Sequence, residues 1–287
     1  MSLLPGTAKT ILVTGASSGI GEATAGRLAG TGAHVVMVSR NRGRGMRARD
    51  RMLAAHPSAS VDLLVADLST RDAVRALAEE FKAKYPRLDV LINNAAVMTS
   101  TRRVTREGFE MQLFVNHLAY FLLTGHLLDV LVGSAPSRIV NVSSTAHSRG
   151  VIDFDDLQMN THYRGYQQYA NTKLMNIMFT YALARRLEAR RVTVNCLHPG
   201  VIRTGLMRGV SPVVHLLWQS LGKFFKQPSE GADTPVYLAT SGEVEGVTGK
   251  YFRYCRAFGT SASSNDEELQ DRLWRESERL TGFQYRP

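Results

Sequence analysis

Residues 10–21 of the 287-residue chain read TILVTGASSGIG, a short apolar run that passes directly into a glycine-rich turn. Apolar β-branched runs favour strands, and glycine at three of these positions allows a tight turn and a close approach of backbone to a ligand. A helix that begins after the turn would direct free N–H groups and the positive end of its dipole toward a phosphate. We therefore predict a nucleotide-binding turn made of Gly15, Ser17, Ser18, Gly19, Ile20 and Gly21.

The rest of the chain alternates short apolar runs with longer amphipathic stretches. The runs predict strands at 10–13, 33–38, 61–66, 88–92, 138–142 and 192–197, with a last strand at Tyr251-Phe252. The amphipathic stretches predict helices at 19–29, 42–55, 105–131, 166–188 and 266–280, and another that starts at a Ser69–Asp72 capping box. Near-continuous apolar strands are typical of a parallel sheet that is covered on both faces. We predict one α/β domain over 1–287, a doubly wound parallel sheet of Rossmann type with about seven strands.

Composition narrows the classes of function. The 44% of hydrophobic residues excludes wholesale disorder, and no apolar run approaches the roughly 20 residues of a membrane span. Two cysteines exclude a disulfide scaffold and a four-cysteine zinc site, and no histidines have metal-ligand spacing, so we predict no metal. The net charge of +10 comes largely from arginines at 40–51, and no nucleic-acid motif accompanies them. We expect a cytoplasmic protein without a nucleic-acid partner or transmembrane segment, either monomeric or homo-oligomeric.

The ends of the next three strands indicate which nucleotide binds. The second strand ends in Ser39-Arg40-Asn41, where an enzyme for NAD carries an acidic residue that accepts from the ribose 2′-hydroxyl. An arginine there suits a 2′-phosphate, so Arg40 and Asn41 predict NADP(H). Asp67-Leu68 should lie beside the adenine, and Asn94-Ala95 should face the cofactor at the end of the fourth strand.

Five polar residues are candidates for the chemistry. Tyr169 and Lys173 share one helix face, and a nearby ammonium would lower the pKa of the phenol. Ser143-Ser144 ends the fifth strand, and Asn116 lies inside a predicted helix. Taken singly, the Tyr-x-x-x-Lys pair also fits a surface contact, and Asn116 also fits a satisfied core amide.

Together these motifs resemble the short-chain dehydrogenase/reductase family, over nearly the whole chain from Thr10 to about Gly282. The resemblance rests on the motifs Thr-Gly-x-x-x-Gly-x-Gly, Asn-Asn-Ala, Tyr-x-x-x-Lys and His198-Pro199-Gly200, in that order. Within the family the chain is most similar to the retinol dehydrogenase-like group, through stretches such as Asn116-His117-Leu118 and Gly249-Lys250-Tyr251-Phe252.

The resemblance implies a catalytic tetrad. Tyr169 would exchange the proton with the carbonyl oxygen, and Ser144, at the family's catalytic position, would polarise that carbonyl. Lys173 would hold the nicotinamide ribose, and Asn116 would anchor a water. Further cofactor contacts are implied at Pro199, Gly200, Ile202 and Thr204.

The predicted substrate is a lipophilic carbonyl compound or alcohol, either retinal-like or of another kind. Ala119 and Tyr120 stand where the retinol-type pattern has glycine and histidine, which weakens a claim for retinoids. The excursion at 200–231 breaks the alternation of elements, and its segment 209–226 fits either a substrate lid or a peripheral membrane contact. A catalytically idle NADP-binding regulator or scaffold is the alternative to the enzyme.

Overall fold

A computed structural model describes residues 8–200 and 228–285 of the protein. One sheet has the strand order β3-β2-β1-β4-β5-β6-β7-β8, in which β1 to β7 are parallel and β8 pairs antiparallel with β7. The strands are β1 Thr10–Thr14, β2 His34–Ser39, β3 Ser60–Val65, β4 Val90–Asn93, β5 Ser137–Val142, β6 Val192–His198, β7 Lys250–Arg253 and β8 Arg256–Phe258.

Helices cover both faces of this sheet. In chain order they are α1 Gly19–Ala29, α2 Arg42–Ala55, α3 Arg71–Lys84, α4 Met111–Leu113, α5 Ala119–His126, α6 Leu128–Gly133 and α7 Gly165–Arg186. Short helices at Pro228–Gly231, Asp233–Thr240 and Ala262–Asn265 precede a C-terminal helix, Glu267–Thr281. No helix among the described residues is long and apolar enough to cross a membrane.

Alternate residues of each central strand supply two separate cores. In β1, Leu12 packs into the core beneath α3, α5 and α7, whereas Ile11 and Val13 pack into the core beneath α1 and α2. All five residues of β1 are buried. A strand with two apolar faces has no polar alternation, which explains the continuous apolar runs and confirms the doubly wound α/β fold.

The structure departs from the sequence-based prediction at three places. The capping box at Ser69 is wrong: Thr70 caps α3, its Oγ1 accepting from Ala73 N at 3.3 Å, so the helix begins two residues after Ser69. The predicted helix at 105–131 begins only at Met111, because the chain before it forms a bridge between Val104 and Glu110.

The third departure is β8, which the sequence did not indicate. Tyr254 and Cys255 join β7 to β8 with φ of 52° and 57°. Two central residues with positive φ are typical of a tight hairpin, but glycine and asparagine are its usual signal. The turn therefore has no recognisable sequence signature. Most of the predicted excursion, 201–227, lies outside the described residues.

Candidate active site

A cavity of about 740 Å³ lies at the carboxyl ends of β1, β2, β4, β5 and β6. It brings together nearly all of the predicted site residues, namely Gly15, Ser17, Ser18, Gly19, Ile20, Gly21, Arg40, Asn41, Asp67, Leu68, Asn94, Ala95, Ser144, Tyr169, Lys173, Pro199 and Gly200. Of the others, Asn116 does not line the cavity, and Ile202 and Thr204 lie outside the described residues.

The glycine turn is shaped for close backbone approach. Gly15 has a φ of +67°, and a Cβ on it would lie 2.9 Å from the Cα of Ala95. A Cβ on Gly21 would overlap the Gly15 carbonyl oxygen. Ser18 is extended and makes no side-chain capping bond to α1. The first turn of α1 therefore lines the cavity without a protein side chain that caps it, an arrangement that suits a pyrophosphate.

Asn94 fixes the glycine turn. Its Nδ2 donates to the Thr14 carbonyl at 2.8 Å, and its backbone N–H donates to Thr14 Oγ1 at 2.8 Å. These bonds join the end of β4 to the end of β1. Asn94 was predicted to face the cofactor, and besides lining the cavity it has this positioning role.

The end of the cavity beyond β2 is basic and exposed to solvent. Arg40 and Arg44 line it and are exposed, and no acidic residue follows β2. Asn41 Oδ1 accepts from Arg44 N at 2.9 Å, so this side chain caps α2. Arg40 and Arg44 are thus the cationic groups available to a ligand phosphate at this end.

The two serines after β5 have different partners. Ser143 is 2% exposed, and its Oγ donates to the Lys173 carbonyl at 2.7 Å. Ser144, in contrast, lines the cavity with Tyr169: its Oγ accepts from Ala146 N at 3.1 Å, and it acts to lower the pKa of the Tyr169 phenol. Ser144 therefore lies near Tyr169, whereas the Ser143 hydroxyl is used within the fold; the catalytic role of Ser144 stays a prediction.

Lys173 lies one helical turn after Tyr169 and is almost completely enclosed. It is 1% exposed, and its Nζ donates to the Val142 carbonyl at 3.0 Å. The ammonium lies 5.6 Å from the ring centroid of Tyr169 and 5.8 Å from that of Tyr120. The sequence analysis gives Tyr120 no role. Its position one helical turn after Asn116 is the signal that could have suggested its contact with Lys173.

Burial shifts both pKa values against the charged forms. It raises the pKa of Tyr169 to about 12, although the hydrogen bond with Ser144 acts in the opposite direction. Burial also lowers the pKa of Lys173 to about 7. The expected lowering of the Tyr169 pKa by Lys173 is not found in the chain alone: burial sets the direction of the shift, and Lys173 is not among the groups that act on this pKa. At neutral pH the phenol is protonated and can act as a proton donor.

Asn116 lies in a π-helical turn, Phe114–Leu118, between α4 and α5. Its Oδ1 accepts from Val97 N at 2.8 Å, its Nδ2 donates to Val97 O at 2.9 Å, and the side chain is fully buried. Val97 itself lines the cavity. The Asn116 side chain therefore acts on the cavity through the backbone of Val97.

These residues fit a nicotinamide dinucleotide. The cavity is lined by the glycine turn, by Tyr169 and by the cationic side chains of Arg40 and Arg44. The absence of a Cβ at Gly21 lets the turn close on itself, because a Cβ there would overlap the Gly15 carbonyl oxygen. The described residues contain no cluster of three or more His, Cys, Asp or Glu that could hold a metal ion.

Comparisons with known proteins agree with this geometry. The short chain dehydrogenase family model matches residues 9–213. Human retinol dehydrogenase 14 is 46% identical over 96% of this chain and 87% of its own length. Mouse retinol dehydrogenase 12 is 40% identical over 98% of this chain and 88% of its own length.

Solved structures share the fold. A putative uncharacterized protein from Mycobacterium paratuberculosis is 31% identical, with a TM-score of 0.79 over 99% of this chain and 97% of its own. A putative gluconate 5-dehydrogenase from Beutenbergia cavernae, solved with bound NADP, is 28% identical, with a TM-score of 0.69 over 86% of this chain and 95% of its own. With the family match covering more than half of its residues, this chain belongs to the short-chain dehydrogenase family of oxidoreductases.

Proposed function

We propose that this protein transfers a hydride between NADP(H) and the carbonyl or alcohol group of a lipophilic substrate. The observation that carries this proposal is the juxtaposition of Tyr169, Ser144 and Lys173 in one cavity with the glycine turn. The nicotinamide cofactor, when bound, supplies or accepts the hydride.

Tyr169 is the proposed proton donor in reduction and acceptor in oxidation. Its raised pKa keeps the phenol protonated at neutral pH, which is the form that donates to a carbonyl oxygen. Ser144 contacts this phenol and would hold the carbonyl oxygen beside it. Lys173 would contact the nicotinamide ribose, and a cationic ring nearby would then favour the phenolate that oxidation requires.

The preference for NADP(H) rests on Arg40. Its exposed guanidinium lines the cavity beyond β2, beside Arg44, at the position where an acidic residue would accept from a ribose 2′-hydroxyl. A guanidinium pairs bidentately with phosphate, so a 2′-phosphate would gain charge-assisted hydrogen bonds here.

The preference for a lipophilic substrate rests on the wall around Tyr169. Val97, Met98, Met111, Val115 and Ala146 line the same cavity as Tyr169. Apolar walls with few polar groups are typical of sites for apolar small molecules. Retinol, named in the relatives, is one lipophilic alcohol of this kind. A cytoplasmic location, suggested by two free cysteines, also remains a proposal.

The direct test is a hydride-transfer assay with NADPH and NADH on aldehydes, ketones and alcohols of increasing apolar length. We expect turnover with NADPH that improves with apolar length. NADPH binding without turnover across the whole panel would contradict the enzyme and favour the idle regulator.

A further inference from the structure

A second cavity, of about 360 Å³, lies between the turn at Thr145–Arg149 and the β7–β8 hairpin. The described residues that line it are Thr145, His147, Ser148, Tyr251, Arg253, Phe258, Gly259, Thr260 and Ser261. Thr145, directly after Ser144, lines both this cavity and the main one. The second cavity therefore adjoins the reaction centre.

Two buried polar atoms of its lining residues have no hydrogen-bond partner within residues 8–200 and 228–285. Tyr251 is 3% exposed, and its hydroxyl is unpartnered. The buried Nε of Arg253 is also unpartnered, although the Arg253 Nη2 donates to the Tyr254 hydroxyl at 3.2 Å. Buried donors are nearly always satisfied in folded proteins, so two orphans on neighbouring lining residues indicate an acceptor that the described residues do not supply.

The charges around the cavity indicate the kind of acceptor. Arg253 is the charged side chain of its described lining, which includes no aspartate or glutamate. Burial, with help from Arg253, lowers the pKa of the neighbouring His198 to about 4, and burial also lowers the pKa of His147. Both imidazoles are therefore neutral at pH 7. Burial raises the pKa of Tyr251, whose phenol stays a donor. The lining combines one positive charge with an unused hydroxyl.

We propose that this cavity binds an oxyanion, a carboxylate or phosphate, through Arg253 and Tyr251, and that the oxyanion is an acidic group of the substrate. The guanidinium offers charge-assisted hydrogen bonds to such a group. In the sheet, Arg253 is the register partner of His198, which is followed by the cavity-lining Pro199 and Gly200. This inference rests on the proposed function and narrows its substrate to lipophilic carbonyl compounds with an acidic end.

The test compares ω-oxo carboxylic acids of increasing length with their methyl esters, since each pair differs in charge at one end. We expect wild-type kcat/KM to favour the acid by about tenfold or more at the length that spans both cavities. Arg253→Gln should abolish this preference, and Tyr251→Phe should reduce it by about two- to tenfold. Arg256→Gln, at an exposed arginine of β8 outside the lining, is the matched control and should keep the preference.

Equal kcat/KM for acid and ester in the wild type would overturn the proposal, as would a preference that survives Arg253→Gln. Calorimetry with inorganic phosphate tests the site without turnover: we expect binding that Arg253→Gln removes and Arg256→Gln retains. Such binding without any preference for acids would assign the site to a free anion and refute the substrate assignment. If phosphate binds through Arg253 while neither these compounds nor the wider panel of aldehydes, ketones and alcohols reacts, the proposed function fails and the anion site stands.

Discussion

The two ends of the main cavity treat charge in opposite ways. At the end of β2, Arg40 and Arg44 are exposed and keep their charge in contact with water. At the end of β5, Lys173 is 1% exposed, and its pKa falls to about 7. Charge at the open end can select a ligand by its phosphate, whereas at the closed end desolvation brings a lysine to the pH range of proton exchange.

The cationic groups at the two ends also differ in what they cost the stability of the fold. An exposed arginine costs the fold little, because water solvates it. A buried lysine with a folded pKa of about 7, against 10.5 when unfolded, carries a penalty of up to about 5 kcal/mol at neutral pH.

The largest effect is expected at the closed end. Tyr169→Phe removes the phenol that contacts Ser144 and keeps the ring, so kcat should fall by about 10²–10⁴-fold with NADPH affinity retained. Steady-state kinetics and fluorescence titration with NADPH measure the two quantities. Tyr237→Phe, at a phenol outside the cavity lining, is the matched control. Near-native turnover in Tyr169→Phe would refute the proton-transfer role.

At the open end, Arg40→Asp should weaken NADPH binding by about tenfold or more and narrow the gap to NADH, since it exchanges a phosphate-binding cation for a carboxylate. Its neighbour Arg42 is also exposed but does not line the cavity, so Arg42→Asp should have a smaller effect. Equal wild-type affinities for NADH and NADPH would contradict selection by charge.

The glycine turn lies between the two ends, and substitutions there test a steric effect rather than an electrostatic one. Gly21→Ala places a Cβ against the Gly15 carbonyl oxygen and should lower the free energy of unfolding by about 1–3 kcal/mol and weaken cofactor binding. Gly26→Ala, on the same helix with its nearest contact at 3.6 Å, should instead stabilise the protein by about 0.5–1 kcal/mol. Chemical denaturation of both variants measures their free energies of unfolding. Equal destabilisation by Gly21→Ala and Gly26→Ala would contradict the steric explanation.

The smallest effect is a gain in stability that accompanies loss of activity. Because Lys173 binds its proton more weakly in the folded chain, its penalty is full below about pH 7 and disappears as the pH rises toward 10.5. Lys173→Met should therefore be more stable than wild type at pH 7, by on the order of 1–2 kcal/mol after the loss of the bond to Val142 O.

This gain should shrink as the pH is raised. Denaturant titrations at pH 7 and pH 9.5 measure it in the cofactor-free protein. A gain in stability that does not depend on pH would mean that burial of the charged Lys173 ammonium does not destabilise the folded protein.

Particular residues show how much of the structure could be predicted from the sequence alone. The glycine turn was predicted because its requirements are local: φ at Gly15 and free N–H groups at the start of α1 depend on a few consecutive residues. Tyr169 and Lys173 were paired because helical periodicity places positions four apart on one face. The fold class followed from the continuous apolar strands, which the confirmed two-core sheet explains.

Other features depended on residues distant in sequence. The partners of Ser143 and Asn116 lie on α7 and after β4, and no local pattern indicates that Asn116 clamps Val97. The sign of the pKa shift at Tyr169 was also beyond the sequence, because desolvation is a sum over everything packed around the phenol.

The α/β fold, the glycine turn, the basic residue after β2 and the Tyr-x-x-x-Lys pair can be read from the sequence, because they obey rules of local geometry and periodicity. The partners of each serine, the depth at which Lys173 is buried and the second cavity between residues 145–148 and 251–261 are visible only in the folded chain. The physical reason is that burial, charge and cavity shape arise from the packing of segments far apart in the chain, which no short stretch encodes.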